Sequence, residues 1–197
     1  GDISTTSFFP AKPLGCYGDG GAIFTDDGDI AELIRSFCVH GKGKMKYDNV
    51  RIGMNSRLDS IQAGILLPKL TAFEEYEVKD INVAAAKYTE LLNGIVDTPV
   101  VPEGFLSSWA QYTIKLNSRE MRDGLKSFLN EMSIPSMIYY PKQMHNQEAF
   151  VGVKNYGIDY SVTNMLCNTV LSLPIHPYIS DEDLDKVVSA IKDFLGK

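Results

Sequence analysis

A helical hydrophobic period runs from Ser56 to Gly94 with a proline set inside it, and no other stretch of the chain narrows the possible folds as much. Leu58, Ile61, Ile65 and Leu66 make an apolar stripe, and Ser56 followed by Asp59 resembles a capping box, so a helix is predicted to begin here. Pro68 lacks a backbone donor and clashes one turn back, which predicts a kink or a restart. The period resumes through Leu70, Phe73, Ile81, Ala84, Ala85, Tyr88, Leu91 and Leu92 and stops at Gly94, a suitable C-terminal glycine. The expectation is a long, bent helical connector between a first part, residues 1–68, and a second part, residues 69–197, that begins with the connector itself.

On the near side, "GAIFTDD" alternates behind a glycine cluster and reads as a strand closing a hairpin that begins near Leu14 to Tyr17. Ile30, Leu33, Ile34 and Phe37 place a short helix at Asp29 to Cys38, and the Lys-rich stretch from His40 to Gly53 reads as a loop. On the far side, Val96 to Ser108 is an irregular crossing, followed by a strand in "AQYTIKL", a helix over Arg119 to Met132 and a second strand in "IPSMIYY". A helix over Ser161 to Thr169 and a third strand in "VLSLP" precede a last helix, opened by Ser180 with Asp183 and closed at Gly196. Its buried face is predicted to be Leu184, Val187, Val188, Ile191 and Leu195. The fold class is α/β, with a small α+β module in the second part.

The composition bounds the function. The 197 residues are 44% apolar with a net charge of −6. The pI near 5.1 argues against general nucleic-acid or anionic-membrane partners, which reward a basic surface. No apolar run reaches the length of a bilayer span, and the start "GDIS" has neither a basic nor a hydrophobic leader segment, so a cytoplasmic protein is expected. Cys16, Cys38 and Cys167 match no disulfide framework or metal knuckle and are read as reduced thiols, with no metal site. The chain opens without an initiator methionine and is expected to be a portion of a longer protein.

The candidate chemistry centres on Lys12, set among Phe8, Phe9, Pro10, Pro13 and Leu14. An amine drawn out of water loses preference for its charged form and becomes a nucleophile toward carbonyls, and Pro13 holds the preceding lysine in extended backbone. The alternative is a lysine whose stem crosses aromatic surface with its ammonium in water. His40, Lys42, Lys44 and Lys46 either approach a diphosphate or form a solvated loop. The glycines at 15, 18, 20 and 21 match neither phosphate-loop nor dinucleotide patterns and are assigned to turn geometry. His176, among prolines, is expected to cap a turn.

The run Phe8-Phe9-Pro10-Ala11-Lys12-Pro13-Leu14-Gly15, with Gly18-Asp19-Gly20-Gly21-Ala22 after it, resembles the cofactor-lysine segment of the DegT/DnrJ/EryC1/StrS family. Gly53-Met54-Asn55-Ser56-Arg57-Leu58-Asp59-Ser60-Ile61-Gln62-Ala63 resembles the same family, as do "SWAQYTI", "YYPKQMH" and "LSLPIHPYIS". The resemblance implies the C-terminal portion of an aspartate-aminotransferase fold (fold type I): a remnant of the large domain, a long kinked helix and a small α+β domain. It implies a pyridoxal 5'-phosphate (PLP) enzyme that moves an amino group, with glutamate as donor, to a keto-sugar of a UDP-linked nucleotide sugar by a ping-pong mechanism, for cell-surface polysaccharide. The favoured substrate is a UDP-2-acetamido-2-deoxy-hex-3-uluronate, over a 4-keto 6-deoxy sugar. A homodimer with shared active sites is implied.

Site roles follow the same resemblance. Lys12 corresponds to the Schiff-base lysine, Ser7 to a hydroxyl donor for the cofactor phosphate, and Asn55 to a phosphate contact reaching across from the neighbouring subunit. At a predicted helix start Asn55 has exposed backbone donors beside it; its alternative role is a simple N-cap. Arg57 corresponds to a carboxylate clamp, with a surface arginine in the first helical turn as the alternative. Tyr139, Tyr140 and His145 correspond to a segment that helps line the sugar-nucleotide site of the partner subunit. The competing readings are a non-catalytic structural fragment and a sugar-nucleotide-binding regulatory protein.

Overall fold

The computed structural model describes residues 1–153 and 157–197, which divide into two units, Gly1–Glu75 and Tyr76–Lys197. The sequence division at Pro68 lies upstream of this one, which falls inside a π-helical turn at Phe73–Glu77.

In the first unit, β1 (Ser4–Ser7) pairs antiparallel with β2 (Gly21–Phe24), Ser7 opposite Gly21. The expected hairpin partner of β2 near Leu14 to Tyr17 is therefore corrected. Those residues belong to a loop closed over long range, where Phe8 N–H donates to the Gly20 carbonyl and Cys16 N–H to the Phe8 carbonyl, both at 2.8 Å. Helix α1 (Gly28–Cys38) starts where the Asp27 carboxylate accepts the N–H groups of Asp29 and Ile30, satisfying two of its free donors.

Helix α2 (Ser60–Ala72) begins later than the capping-box reading had it. Met54 N–H donates to Phe37 O, His40 N–H to Met54 O and Ser56 N–H to Cys38 O, so the backbone around Ser56 is committed to pairing with the end of α1. Asp59 occupies the cap position without a side-chain bond, although Ala63 N–H reaches its carbonyl at 2.9 Å. The helix continues through Pro68, and the irregularity comes at the π turn that precedes α3 (Val78–Leu91). Of the predicted stripe, Leu66 is buried and Ile61 is 76% exposed.

The second unit holds the larger core. Strand β3 (Tyr112–Lys115) buries Tyr112 and Ile114 and alternates as predicted, pairing antiparallel with β4 (Val170–Leu173). Helix α4 (Arg119–Glu131), capped by Ser118, packs on α5 (Ser161–Thr169), β4 and α6 (Asp181–Leu195), and α3 packs on α6. The expected strand in "IPSMIYY" is reduced to one bridge, Met137 with Ser172. Pro135 has no N–H to offer a ladder, and Ile134 N–H is already bonded to Leu129 O. Helix α6 follows its predicted caps: Ser180 Oγ accepts Asp183 N–H and donates to the Asp183 carboxylate, and Gly196 is left-handed at φ 66. Its buried face is Leu184, Val187, Val188, Ala190 and Ile191, with Leu195 half-buried. His176 Nδ1 accepts Tyr178 N–H at 3.2 Å, the turn cap expected of it. The three cysteines are free thiols. Among the described residues no helix is long and apolar enough to cross a membrane.

Candidate active site around Lys12

Lys12 sits in the loop between β1 and β2. Its N–H donates to Phe9 O at 2.8 Å, making a tight turn, and its side chain is exposed. The expectation of a desolvated amine is thus corrected for these residues. The neighbouring apolar groups do not enclose it: Phe9 is itself half exposed, and Pro10 and Ala11 are exposed as well. What the sequence does supply is fixed backbone. At Gly15 an added Cβ would lie 2.7 Å from Phe9 O, 2.9 Å from Pro10 O and 3.1 Å from Lys12 O, so only glycine lets the two limbs of the loop approach. Cys16, fully buried, places its Sγ 3.0 Å from both Phe8 O and Gly18 O, a second tie across the same neck.

Ser7 ends β1. Its Oγ accepts Phe9 N–H at 3.2 Å, which leaves the hydroxyl proton free of any acceptor among the described residues. Asn55 and Arg57 are paired: Arg57 Nε donates to Asn55 Oδ1 at 3.0 Å. The amide oxygen of Asn55 is therefore occupied, and what the pair presents outward is N–H donors from the Asn55 amide and the Arg57 guanidinium. The pair lines a cleft of about 590 Å³ with Thr6 of β1, Asp19, Gly21 of β2 and Cys38 of α1. These donors can meet an anion, although Asp19 lines the same cleft and makes its charge mixed. Because α2 starts at Ser60, neither residue has the helix-terminus setting expected for it, and the N-cap alternative for Asn55 also falls away.

The Lys-rich loop folds back on itself, with Gly43 N–H bonded to Asp48 O and Val50 N–H to Gly41 O. Lys42 and Lys44 line a cleft of about 960 Å³ together with Arg51, but also with Asp29, Glu32 and Asp48, so its charge is mixed. Tyr139, Tyr140 and His145 belong to the second unit. The two tyrosine rings meet edge to face at 5.5 Å and are exposed, and the His145 ring stacks on Tyr160 at 4.1 Å. Gln62, which lies in the second block of family resemblance but was given no role there, accepts Tyr17 N–H at 2.9 Å from α2.

The profile of the DegT/DnrJ/EryC1/StrS aminotransferase family matches residues 1–192. The chain belongs to this family. The UDP-2-acetamido-2-deoxy-3-oxo-D-glucuronate aminotransferase of Pseudomonas aeruginosa is 39% identical over 190 residues, covering 96% of this chain and 51% of its own length. The crystal structure of a DegT DnrJ EryC1 StrS aminotransferase from Brucella abortus matches with a TM-score of 0.94 and 48% identity, over 100% of this chain and 52% of that one. NtdA of Bacillus subtilis, solved with bound cofactor PMP, matches with a TM-score of 0.88 and 27% identity, over 100% of this chain and 46% of that one. The chain has the fold of DegT/DnrJ/EryC1/StrS aminotransferases along its whole length and spans about half the length of these relatives.

Proposed function

We propose that the chain is the lysine-bearing C-terminal portion of a PLP-dependent aminotransferase, which carries an amino group from glutamate to the 3-keto group of a UDP-linked N-acetyl hexuronate. In this reading the enzyme is a cytoplasmic homodimer whose subunits share active sites. The observation that carries it is the Lys12 loop: a primary amine presented outward from backbone tied at Gly15 and Cys16.

The residues present fit the two ends of the cofactor. Lys12 supplies an amine for its aldehyde and the unspent hydroxyl proton of Ser7 suits its phosphate, while the free amide donors of Asn55 suit the phosphate of the cofactor held by the neighbouring subunit. When bound, the cofactor supplies an electron sink for charge on the substrate carbon. Lys12 Nζ anchors it and moves the proton during transfer. Arg57 orients a carboxylate of donor or uronate through its guanidinium fork. Tyr139, Tyr140 and His145 offer aromatic faces and polar edges to the nucleotide sugar. Water exclusion at Lys12 is left to protein beyond these residues, since here the amine is exposed.

Treating the chain with PLP and borohydride, then mapping the modified peptide by mass spectrometry, tests the reading. Lys12 should carry the pyridoxyl mass well ahead of the other lysines. Equal labelling of Lys12 and an ordinary exposed lysine such as Lys186 would refute it.

A further inference from the structure

Gln62 has no part in the roles assigned so far, yet it is the side chain that ties helix α2 to the lysine loop. It sits half-buried in the first turn of α2, and its carboxamide oxygen accepts Tyr17 N–H at 2.9 Å. A Cβ built on Gly18 would lie 3.0 Å from Gln62 Nε2, so the carboxamide is in contact with the chain there as well. Leu58 closes on the next glycine, where a Cβ at Gly20 would meet Leu58 Cδ1 at 2.9 Å. These contacts all fall on the returning limb of the loop, Tyr17 to Gly20. Cys16, next to Tyr17, passes the constraint on through its N–H bond to Phe8 O and its Sγ contacts, and Phe8 and Phe9 begin the turn that holds Lys12.

We propose that Gln62 is a positioning residue for Lys12: by accepting Tyr17 N–H it fixes the returning limb, and through Cys16 it fixes the turn from which the amine projects. The proposal rests on the reading of Lys12 as the cofactor-anchoring amine. Its physical content is preorganisation. A loop held in one conformation spends no ordering free energy when a ligand engages it, whereas a loose loop does. The acceptor is what holds the limb in place, because Tyr17 is exposed and its N–H would otherwise turn to water.

Two variants of the full chain separate this from a purely structural role. Gln62→Leu keeps the apolar stem and removes the acceptor; Gln62→Glu keeps an oxygen at the same reach. Amide hydrogen exchange is followed at Tyr17, Cys16 and Lys12, with Ala63 and Thr6 as controls for the integrity of α2 and β1. PLP labelling is read as the ratio of Lys12 to Lys186. In Gln62→Leu, exchange at Lys12 should quicken about tenfold with the controls unchanged, as expected of a local opening. The labelling ratio should fall about threefold as positioning is lost. Gln62→Glu should restore both. Gln62→Leu with Lys12 still protected and the ratio unchanged would overturn the proposal, as would Gln62→Glu behaving like Gln62→Leu. If the unmodified chain shows no preference for Lys12, the aminotransferase reading fails on its own, while the exchange measurements still decide the part played by Gln62.

Discussion

Replacing Arg122 measures how far the second unit depends on one buried cation. Arg122 is 3% exposed on the inner face of α4. Its Nη1 donates to Cys167 O at 3.1 Å and to Val170 O at 3.3 Å, and its Nε to the Asp123 carboxylate at 2.6 Å. The two carbonyls flank the corner where α5 passes directly into β4, and helix ends leave such carbonyls without internal partners. Arg122→Met keeps an apolar stem and strands both acceptors. Bonds from a charged donor are worth about 1.5–3 kcal/mol each, so the two give about 3–6 kcal/mol. The half-exposed Asp123 contact adds little. Removing the guanidinium also removes its own desolvation cost, which brings the expected net loss to the lower end, about 3 kcal/mol. Arg122→Lys keeps the charge as a single point donor able to reach one carbonyl at a time, and should lose about half as much. Urea unfolding followed by circular dichroism gives the difference directly, provided the slope against denaturant is unchanged. If Arg122→Met unfolds within about 0.5 kcal/mol of the parent, or if Arg122→Lys is as damaged as Arg122→Met, the assignment of the stability to the two carbonyl bonds is wrong.

Lys12→Ala should leave unfolding within about 0.5 kcal/mol of the parent, because the side chain is exposed, while abolishing the pyridoxyl label at that position; peptide mapping checks it. Gly15→Ala drives a methyl against three carbonyl oxygens and should cost the loop about 1–3 kcal/mol, seen as lost exchange protection at Lys12 N–H. The Asp159 carboxyl is held below its ordinary value of 3.8, first by Ser161 N–H and then by the Ser161 hydroxyl. A lowered folded pKa means that its contribution is present above 3.8 and is lost as pH falls through and below that value toward the folded pKa. The protection factor at Ser161 N–H, taken against the intrinsic exchange rate at each pH, should fall over that acidic range, and an unchanged factor would contradict the linkage. The first unit exposes Ile52 at 94%, Ile61 at 76% and Leu67 at 70%, so the chain should self-associate reversibly in sedimentation as concentration rises; a single species throughout would count against this.

Elements specified by adjacent residues were legible in advance. Helix α6 opens and closes on caps within one turn of its ends, and α5 and α4 lie where they were predicted, because the distant bonds to α5, from Arg122 to Cys167 O and from Leu116 to Thr169 O, take only carbonyls at its end. Elements whose backbone has a distant partner were misread. Ser56 has the chemistry of an N-cap, but its N–H is taken by Cys38 O, so α2 starts later. Strand β2 pairs with β1 across a loop whose closure depends on Phe8 and Gly20 meeting, which no local pattern reports. At the site, Lys12, Ser7, Asn55 and Arg57 were named from resemblance, but the Arg57 to Asn55 bond and the tie from Gln62 were not, since a glutamine in a first helical turn carries no pattern of its own. Arg122 did leave a signal: it precedes Leu125 and Leu129 on the same buried stripe, where a charge has to find partners.

Holding a lysine and drying it are separable tasks, and these residues perform the first. The neck at Gly15 and Cys16 consists of short-range contacts that survive with the side chain of Lys12 in water. An amine in water retains its hydration whatever its backbone does, so the rigidity of the loop cannot by itself make the nitrogen a better nucleophile. It can make encounters productive, by presenting the atom from one direction and sparing the ordering cost at each engagement. On the proposed reading the apolar residues beside Lys12 then have a second use. Phe9, half exposed, offers a surface against which covering protein can seal, so that the desolvation expected from the sequence arises on assembly instead of within this chain. The two contributions are distinguishable in labelling. Loosening the neck should lower the preference for Lys12 over other lysines, whereas covering the loop should lower the access of a bulky amine reagent to Lys12 while its backbone protection stays unchanged.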